Sequence, residues 1–214
     1  GLHITDKRAD GFHNLQTVFY PVPITDALEI ISSSQKDSKL EFTLTGATIE
    51  GGDNICIKAY QLLKKDFPQL PPVQMHLHKA IPIGAGLGGG SADGAFTLLL
   101  LNKNFNLQLT QAQLLNYALQ LGSDCPFFII NKPCIAGGRG EELAEINLDL
   151  TPYRLVIVNP GIHINTGWAF SQLTPKAPEY DLSDTIQKPV AQWKDILTND
   201  FEEPIFRHHP AIKK

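Results

Sequence analysis

The feature that most constrains how this chain can fold is the glycine-rich segment PIGAGLGGGSAD at residues 82–93. Five glycines fall within the seven residues from Gly84 to Gly90. Glycine loses more backbone entropy on folding than any other residue, so this density suits a backbone that turns tightly or approaches a ligand. The apolar run from Ala92 to Phe105 predicts a buried helix directly afterwards. Because glycines that lead into a helix aim unpaired N–H groups at one point, the segment predicts a phosphate-binding loop.

Other kinds of glycine loop fit this segment less well. Gly84, Gly86 and Gly89 have the spacing of a dinucleotide-binding turn, but that fold also needs an acidic residue about 20 positions later to hold a ribose. Residues 101–109 contain none. A Walker loop needs lysine before the hydroxyl residue, whereas Gly90 precedes Ser91. A protein-kinase glycine loop continues into a strand with a lysine, and here a helix is predicted. A glycine-rich turn without a ligand stays open as the alternative.

Composition narrows the class of protein. The chain has 214 residues, of which 43% are hydrophobic and 19% charged, with a net charge of −4. These values are ordinary for a soluble globular protein and do not indicate a surface that binds nucleic acid. A polyanionic substrate would therefore have to be held by local rather than overall charge. Three cysteines without a C-x-x-C pair predict neither a disulfide framework nor a zinc site. This cysteine usage favours a reducing, cytoplasmic location. No apolar run is long enough to span a membrane, so we expect no membrane partner.

Local patterns predict most of the secondary structure. Strands are expected at 2–4, 15–20, 27–32, 40–45, 73–79, 134–136 and, buried, at 153–158, and helices at 53–67, 92–105, 111–121 and 193–197. The third and fourth strands are expected to form a hairpin around a loop at 33–38. Asp53 and Thr110 are the predicted N-caps of the first and third helices. Residues 175–188 are polar and aperiodic, which indicates a surface connection, and no further element is predicted after residue 201.

Several polar or aromatic residues allow two interpretations from pattern alone. Phe12 and His13 follow the turn signal Asp10-Gly11 and could pack or bind, and Asn54 could cap a helix or contact a ligand. Lys79 stands before the glycine loop, where it could reach a nucleotide phosphate or lie in solvent. Asp124, between a helix stop and an apolar run, could form a turn or act in catalysis. His76 and His78 share a strand face, which is typical of an exposed sheet surface or, with further ligands, of a metal site.

The segment from Pro82 to Ala92 resembles the phosphate loop of the GHMP kinases, a superfamily of small-molecule kinases. The resemblance implies an α+β fold of two domains: an ATP-binding N-terminal domain, similar to domain 2 of ribosomal protein S5, at 1–150, and an incomplete ferredoxin-like C-terminal domain at 151–214. It implies ATP and Mg²⁺ as cofactors, with Asn54 at the adenine and Ser91 on the metal. Lys79 is a candidate for the phosphates or base because of its position before the loop. The loop residues implied to bind nucleotide are Pro82, Ile83, Gly84, Ala85, Gly86, Leu87, Gly88, Gly89, Gly90, Ser91 and Ala92.

Two further segments narrow the resemblance. Arg8-Ala9-Asp10-Gly11-Phe12-His13 and Gly122-Ser123-Asp124-Cys125-Pro126-Phe127-Phe128 are similar to segments of the diphosphocytidyl-methylerythritol kinases of the non-mevalonate isoprenoid pathway. That similarity implies phosphorylation of the 2-hydroxyl of a cytidine diphosphate-linked methylerythritol, with Asp124 as the catalytic carboxylate. It also implies a cytidine site made by Phe12, which replaces the family's usual Tyr, with His13, Thr166 and Phe170. Thr166 is further expected to cap its helix, and Arg139 is a candidate for the diphosphate or a solvent-facing side chain.

The resemblance has two gaps. The family's catalytic lysine and an asparagine would fall before Gly1, and its second glycine-rich loop would fall beyond Lys214. We therefore expect these 214 residues to be a fragment with poor turnover. Another GHMP kinase, of the homoserine or mevalonate type, a nucleotide-binding module without catalysis, and a dinucleotide oxidoreductase are the alternatives. The oligomeric state does not follow from the sequence.

Overall fold

The computed structural model describes residues 1–33, 39–46, 54–178 and 180–213. The chain divides into two compact units. The loop unit is Val22–Asn131, and the terminal unit combines Gly1–Pro21 with Lys132–Lys214. These units follow spatial contacts rather than chain order, and the predicted domains 1–150 and 151–214 remain a proposal. No helix in the described ranges has the length and apolar character needed to cross a membrane.

The strands and helices of the described residues are as follows. The strands are β1 (Leu2–Lys7), β2 (His13–Phe19), β3 (Ala27–Ser32), β4 (Glu41–Gly46), β5 (Val73–Lys79), β6 (Cys134–Gly137) and β7 (Glu142–Glu145). The α-helices are α1 (Ile55–Asp66), α2 (Gly89–Asn104), α3 (Gln111–Leu121), α4 (Cys125–Ile130), α5 (Thr166–Ser171), α6 (Leu182–Ile186), α7 (Trp193–Ile196), α8 (Glu202–His208) and α9 (Pro210–Lys213), and a short 3₁₀ turn at Val190–Gln192 precedes α7.

The sheet of the loop unit has the strand order β3-β5-β4. Strand β5 is antiparallel to β3 and parallel to β4, so the predicted β3–β4 hairpin is wrong. A parallel pair needs a crossover connection, and α1 lies between β4 and β5 in the chain. Val73, Met75 and Leu77 are buried in β5 while the residues between them are exposed, which confirms the predicted alternation. Residues 34–38 of the predicted hairpin loop lie outside the described residues.

Helices α1 to α4 pack with this sheet around one apolar core, which includes Leu63, Leu77, Leu98 and Leu101. At Gly94 a Cβ atom would lie 2.8 Å from Cγ1 of Ile55, so α1 and α2 approach too closely there for a side chain. Helix α2 is buried as predicted but begins at Gly89, three residues before Ala92. The N-terminus of α2 is therefore built from the last glycines of the loop.

The predicted N-caps of α1 and α3 have different outcomes. Thr110 caps α3 and forms a capping box with Gln113, as the sequence predicted. Helix α1 is capped by Asn54, whose side chain accepts a hydrogen bond from the backbone N–H of Cys56. The predicted cap Asp53 lies outside the described residues.

The terminal unit contains an antiparallel sheet with the strand order β1-β2-β6-β7. The predicted buried strand at residues 153–158 is wrong. Val156 and Val158 are 84% and 83% exposed, and within the described residues neither sheet reaches this segment. An apolar run predicts a strand only where a neighbouring strand can pair with its backbone, and periodicity does not reveal whether one is present.

The C-terminal part of this unit is more helical than predicted. The expected surface connection at 175–188 contains α6, in which Leu182 and Ile186 are buried one helical turn apart. Helix α7 confirms the helix predicted from Trp193, and α8 and α9 follow residue 201, where no element was expected. Asp200 holds β1 by accepting the backbone N–H of Ile4 at 2.8 Å.

Candidate active site

The glycine loop connects β5 to α2 in a conformation that depends on its glycines. Gly84, Gly86 and Gly88 have φ angles of 71°, 71° and 68°, in the left-handed region that favours glycine. At Gly88 a Cβ atom would also lie 2.8 Å from the ring of Phe128 on α4. Both the backbone conformation and the close approach of α4 therefore require glycine at position 88.

The first turn of α2 presents its backbone N–H groups to the loop. The N–H of Ala92 donates to the carbonyl oxygen of Gly88 at 2.8 Å, at the start of the helix. The N–H groups of Gly89, Gly90 and Ser91 come before Ala92 in the chain. By helix geometry these groups have no acceptor within the helix. The dipole of a 16-residue helix adds positive potential at the same end. The loop and helix turn at residues 82–92 are thus arranged to bind an anion such as phosphate.

Asp124 lies at the start of α4, the helix that packs against the glycine loop. It occupies the N-cap position of α4 without making a capping hydrogen bond. Burial raises the pKa of the neighbouring Cys125 thiol to about 11, and the side chain of Ser91 opposes that rise. Asp124 remains accessible to solvent, but desolvation by the surrounding protein raises its pKa above the ordinary value, and a hydrogen bond from Ser123 Oγ at 3.4 Å opposes this rise. The structure therefore places an accessible carboxylate at the N-cap of α4, the helix whose Phe128 faces Gly88 of the glycine loop.

Lys79 is the last residue of β5. The interpretation that its side chain lies in solvent is wrong. Its side chain is 3% exposed, and Nζ donates hydrogen bonds to Asp26 Oδ2 at 2.5 Å and to Asp93 Oδ2 at 2.8 Å. Burial, opposed by the hydrogen bond from Lys79, raises the pKa of Asp93 to about 6. The ammonium group is therefore already paired with two carboxylates. The predicted contact of Lys79 with nucleotide stays a prediction.

Sequence reasoning missed Asp26 and Asp93 as partners of Lys79. Asp93 is the last residue of the glycine-rich segment 82–93. Its position in the first turns of α2 was the signal that could have identified it as a residue near the loop. Asp26 precedes Lys79 by 53 residues, and no local pattern connects them. Asp26 Oδ1 also accepts the backbone N–H groups of Ala80 and Ile81.

Asn54 lies at the beginning of α1, close to the first turns of α2. Its Oδ1 accepts the N–H of Cys56 at 2.8 Å, so the capping interpretation is confirmed. Ile55 contacts Gly94, and the thiol of Cys56 lies 3.8 Å from the carbonyl oxygen of Asp93. This location is compatible with the predicted adenine contact, which stays a prediction.

In the terminal unit, aromatic side chains group around the predicted cytidine residues. The rings of His13 and Phe170 stack with centroids 5.1 Å apart, and Phe170 meets Phe201 edge-on at 5.0 Å. Phe12 is 54% exposed, and the guanidinium carbon of Arg139 lies 5.1 Å from its ring centroid. Three of the residues predicted to hold a pyrimidine are therefore exposed or stacked aromatic groups.

The role predicted for Thr166 as a helix cap is wrong. Asn165 caps α5: its Oδ1 accepts the N–H of Trp168 at 2.9 Å, and its extended backbone, with φ −68° and ψ 121°, has the geometry of an N-cap. Thr166 is the first residue inside the helix. Its predicted contact with substrate does not depend on capping and stays a prediction.

His76 and His78 share an exposed face of β5, as predicted, and each is hydrogen-bonded to Thr45 Oγ1. In the described part of the chain, no group of three or more His, Cys, Asp or Glu side chains is placed to hold a metal ion. Cys56, Cys125 and Cys134 are all buried free thiols.

Known proteins with similar sequences are small-molecule kinases. The family model for the GHMP kinases N terminal domain matches residues 54–132. The chain is 50% identical over 218 residues to 4-diphosphocytidyl-2-C-methyl-D-erythritol kinase of Bacteroides fragilis, an alignment covering 100% of this chain and 78% of that protein. Its identity to the protein of the same name in Bacteroides thetaiotaomicron is 50% over 214 residues, covering 99% of this chain and 78% of the relative.

A similar fold is found among solved structures. A crystal structure of 4-(cytidine 5'-diphospho)-2C-methyl-D-erythritol kinase aligns with a TM-score of 0.78 and 28% sequence identity. The alignment covers 100% of this chain and 76% of that one.

Proposed function

Because the chain belongs to the GHMP kinase family, we propose that it transfers the γ-phosphoryl group of ATP to the 2-hydroxyl of 4-diphosphocytidyl-2-C-methyl-D-erythritol, a step in non-mevalonate isoprenoid biosynthesis. The observation that supports this proposal is the packing of the glycine loop against α4, where Gly88 faces the ring of Phe128 and Asp124 occupies the N-cap position. A phosphate-binding turn positions the donor in phosphoryl transfer to an alcohol, and an accessible carboxylate can orient the acceptor hydroxyl and take its proton.

The donor site is formed by the loop. Backbone N–H groups from Gly86 to Ser91 hold the ATP phosphates, and Asn54 contacts the adenine. The hydroxyl of Ser91 fits a Mg²⁺ site in which ATP phosphates supply further oxygen ligands, since Mg²⁺ in kinases is commonly held by few protein groups. When bound, the metal neutralises charge on the phosphate oxygens. The loop holds the donor in one orientation, which lowers the entropic part of the barrier.

Asp124 acts on the acceptor. Its carboxylate accepts a hydrogen bond from the acceptor hydroxyl, orients it towards the phosphate and receives its proton during transfer. The raised pKa of Asp124 makes it a better proton acceptor than an ordinary aspartate. At neutral pH the group still has to be ionised, which its accessibility to water favours.

The cytidine end of the acceptor is held by aromatic stacking. Phe12 offers an exposed ring face, and the stacked pair His13 and Phe170 adds a second aromatic surface. Stacking on aromatic faces contributes about 1–3 kcal/mol per base. Thr166 completes the predicted acceptor site.

Within the proposed two-domain arrangement, we assign residues 1–150 to the ATP-binding domain and residues 151–214 to part of the C-terminal domain. The cytoplasmic location stays a prediction.

The test is direct phosphorylation. The full-length protein is incubated with ATP, Mg²⁺ and 4-diphosphocytidyl-2-C-methyl-D-erythritol, and ³¹P NMR identifies the product while ADP release gives the rate. We expect a new phosphomonoester signal on the 2-position. Homoserine and mevalonate serve as competing acceptors, and preferential phosphorylation of either one would contradict the proposed substrate.

A further inference from the structure

Three buried charged side chains lie beneath the glycine loop: Asp26, Lys79 and Asp93, here called the clamp. Their side chains are 5%, 3% and 6% exposed. Lys79 Nζ donates to both carboxylates, at 2.5 Å and 2.8 Å. Buried charges are strongly destabilising unless they are paired and hydrogen-bonded, so both carboxylates depend on Lys79 for compensation of their charge.

Asp26 joins the clamp to the entry of the loop. While Oδ2 accepts from Lys79, Oδ1 accepts the backbone N–H of Ala80 at 2.6 Å and that of Ile81 at 2.8 Å. Ala80 and Ile81 are the two residues between the end of β5 and the start of the glycine segment. One carboxylate therefore fixes both the last side chain of the strand and the backbone that follows it.

Asp93 joins the clamp to the exit of the loop. It lies in the first turns of α2, and its carbonyl oxygen also accepts the hydroxyl of Thr97 at 2.7 Å. A Cβ atom on Gly89 would lie 3.2 Å from Lys79 Nζ, so the ammonium group is directly against the first residue of the helix. The bond from Lys79 to Asp93 thus ties the end of β5 to the start of α2.

We propose that Asp26 is a positioning residue for nucleotide binding, which acts through Lys79, Asp93 and the backbone of Ala80 and Ile81 to fix the two ends of the glycine loop. With both ends fixed, the N–H groups of the loop converge on one phosphate position before ATP binds. Glycine-rich backbone is intrinsically mobile, and preorganisation reduces the entropy lost on binding. This inference rests on the proposed role of the loop in binding ATP.

Two variants separate the two connections of Asp26. Asp26→Ala removes both the acceptor of the backbone N–H groups and the partner of Lys79. Asp26→Asn keeps a carbonyl oxygen for Ala80 and Ile81 but removes the charge that pairs with Lys79. The readouts are residue-resolved amide hydrogen exchange by NMR in the nucleotide-free protein and the ATP Kd by calorimetry, both well below the melting temperature.

In Asp26→Ala we expect exchange at Ala80, Ile81 and the amides from Ala92 to Gly94 to rise about tenfold or more, because a hydrogen bond to a charged group is lost. We expect the ATP Kd to rise by a similar factor. In Asp26→Asn the amides of Ala80 and Ile81 should keep most of their protection, while those at the start of α2 exchange faster and the ATP Kd rises less. If Asp26→Ala does not fold, Asp26→Asn still tests the connection through Lys79 to the start of α2.

Asp66→Asn is the matched control, because Asp66 is a carboxylate of the loop unit whose Oδ2 accepts the hydroxyl of Tyr117 at 2.7 Å and so joins α1 to α3. We expect its loop exchange rates and ATP Kd to stay within about twofold of wild type. A lower melting temperature in the Asp26 variants with unchanged loop exchange and ATP Kd would overturn the positioning role. If the unmodified protein binds no ATP, the proposed function fails, and the exchange rates alone then decide whether the clamp holds the loop.

Discussion

At the scale of single residues, Asp124 combines accessibility with a raised pKa. Desolvation by the surrounding protein raises the pKa, and Ser123 partly offsets the rise. A general base is most effective when its pKa approaches the working pH. Asp124 also occupies the N-cap position of α4, whose Phe128 faces Gly88 of the glycine loop. These properties make it the carboxylate on which we expect phosphoryl transfer to depend.

Replacing Asp124 by Asn should slow catalysis without weakening nucleotide binding. Loss of a general base or orienting group typically lowers kcat by about 100-fold or more, whereas the amides that hold ATP are unchanged. Steady-state kinetics with varied ATP give both values. Asp149→Asn, which alters an exposed carboxylate bonded to the N–H of Thr151, is the control. A kcat for Asp124→Asn close to that of the control would remove Asp124 from the mechanism.

The pH dependence of kcat/KM provides an independent test of the same residue. A base must be ionised to act, so activity is lost as pH falls through its pKa. Because the pKa of Asp124 is raised from 3.8, we expect the acid limb to lie above that of an ordinary aspartate. Ser123→Ala removes a hydrogen bond that lowers this pKa, and should move the limb to higher pH. A shift to lower pH would contradict the assignment.

At the scale of elements, the connection from β5 to α2 depends on how its glycines meet α4. Gly88 has φ 68° and faces the ring of Phe128, whereas a Cβ atom on Gly90 would meet nothing within 4 Å. These two glycines stand next to Gly89, at the start of α2. They therefore form a pair for testing which part of the loop requires glycine for its structure.

Gly88→Ala should lower the free energy of unfolding by about 1–3 kcal/mol, because it adds both backbone strain and a steric contact. We expect ATP binding to weaken as well, since the loop must move. Gly90→Ala should leave stability unchanged or raise it by up to about 1 kcal/mol, because alanine favours the helix. Denaturant unfolding measures both variants, and equal loss of stability in the two would contradict the structural argument.

The cap of α3 allows a stability prediction that is separate from the loop. Thr110 Oγ1 accepts the N–H of Gln113 at 3.3 Å, and Gln113 Oε1 accepts the N–H of Thr110 at 2.9 Å. Thr110→Ala should therefore lower the free energy of unfolding by about 1 kcal/mol and leave the ATP Kd unchanged. The exposed neighbour Gln111, changed to Ala, is the control. A change in ATP affinity in Thr110→Ala would show that the cap acts beyond its own helix.

At the scale of the whole molecule, the residues proposed to bind nucleotide belong to the loop unit and those proposed to hold cytidine to the terminal unit. The stability of the loop unit includes an unusual electrostatic contribution. Two buried carboxylates share one ammonium group, and burial raises the pKa of Asp93 to about 6. Although burial acts to raise the pKa of Asp26 too, hydrogen bonds from Lys79 and from the N–H groups of Ile81 and Ala80 lower it.

Asp93 should make folding stability fall as pH rises. Because its pKa is raised to about 6, Asp93 in the folded state keeps its proton up to about that pH, whereas an unfolded aspartate loses it near the ordinary pKa of 3.8. The contribution to stability is therefore fully present below the unfolded pKa and is lost as pH rises through the folded one. Denaturant unfolding of wild type and Asp93→Asn at several pH values between these limits measures it. We expect wild-type stability to decline relative to Asp93→Asn, and an increase would contradict the raised pKa.

The sequence by itself determined the glycine loop and several of the local elements. The alternation of β5, the cap and extent of α3 and the glycine spacing before α2 all depend on residues a few positions apart, and backbone preference acts over that range. The family resemblance and the proposed roles of Asp124 and the loop could also be predicted, because their motifs are contiguous.

Only the tertiary structure decided which distant segments meet. It placed β5 between β3 and β4, left residues 153–158 outside both sheets and paired Lys79 with Asp26, 53 residues earlier. Strand pairing and buried ion pairs are selected by competition among all segments of the folded chain, through backbone hydrogen bonds and desolvation. No local pattern carries that information.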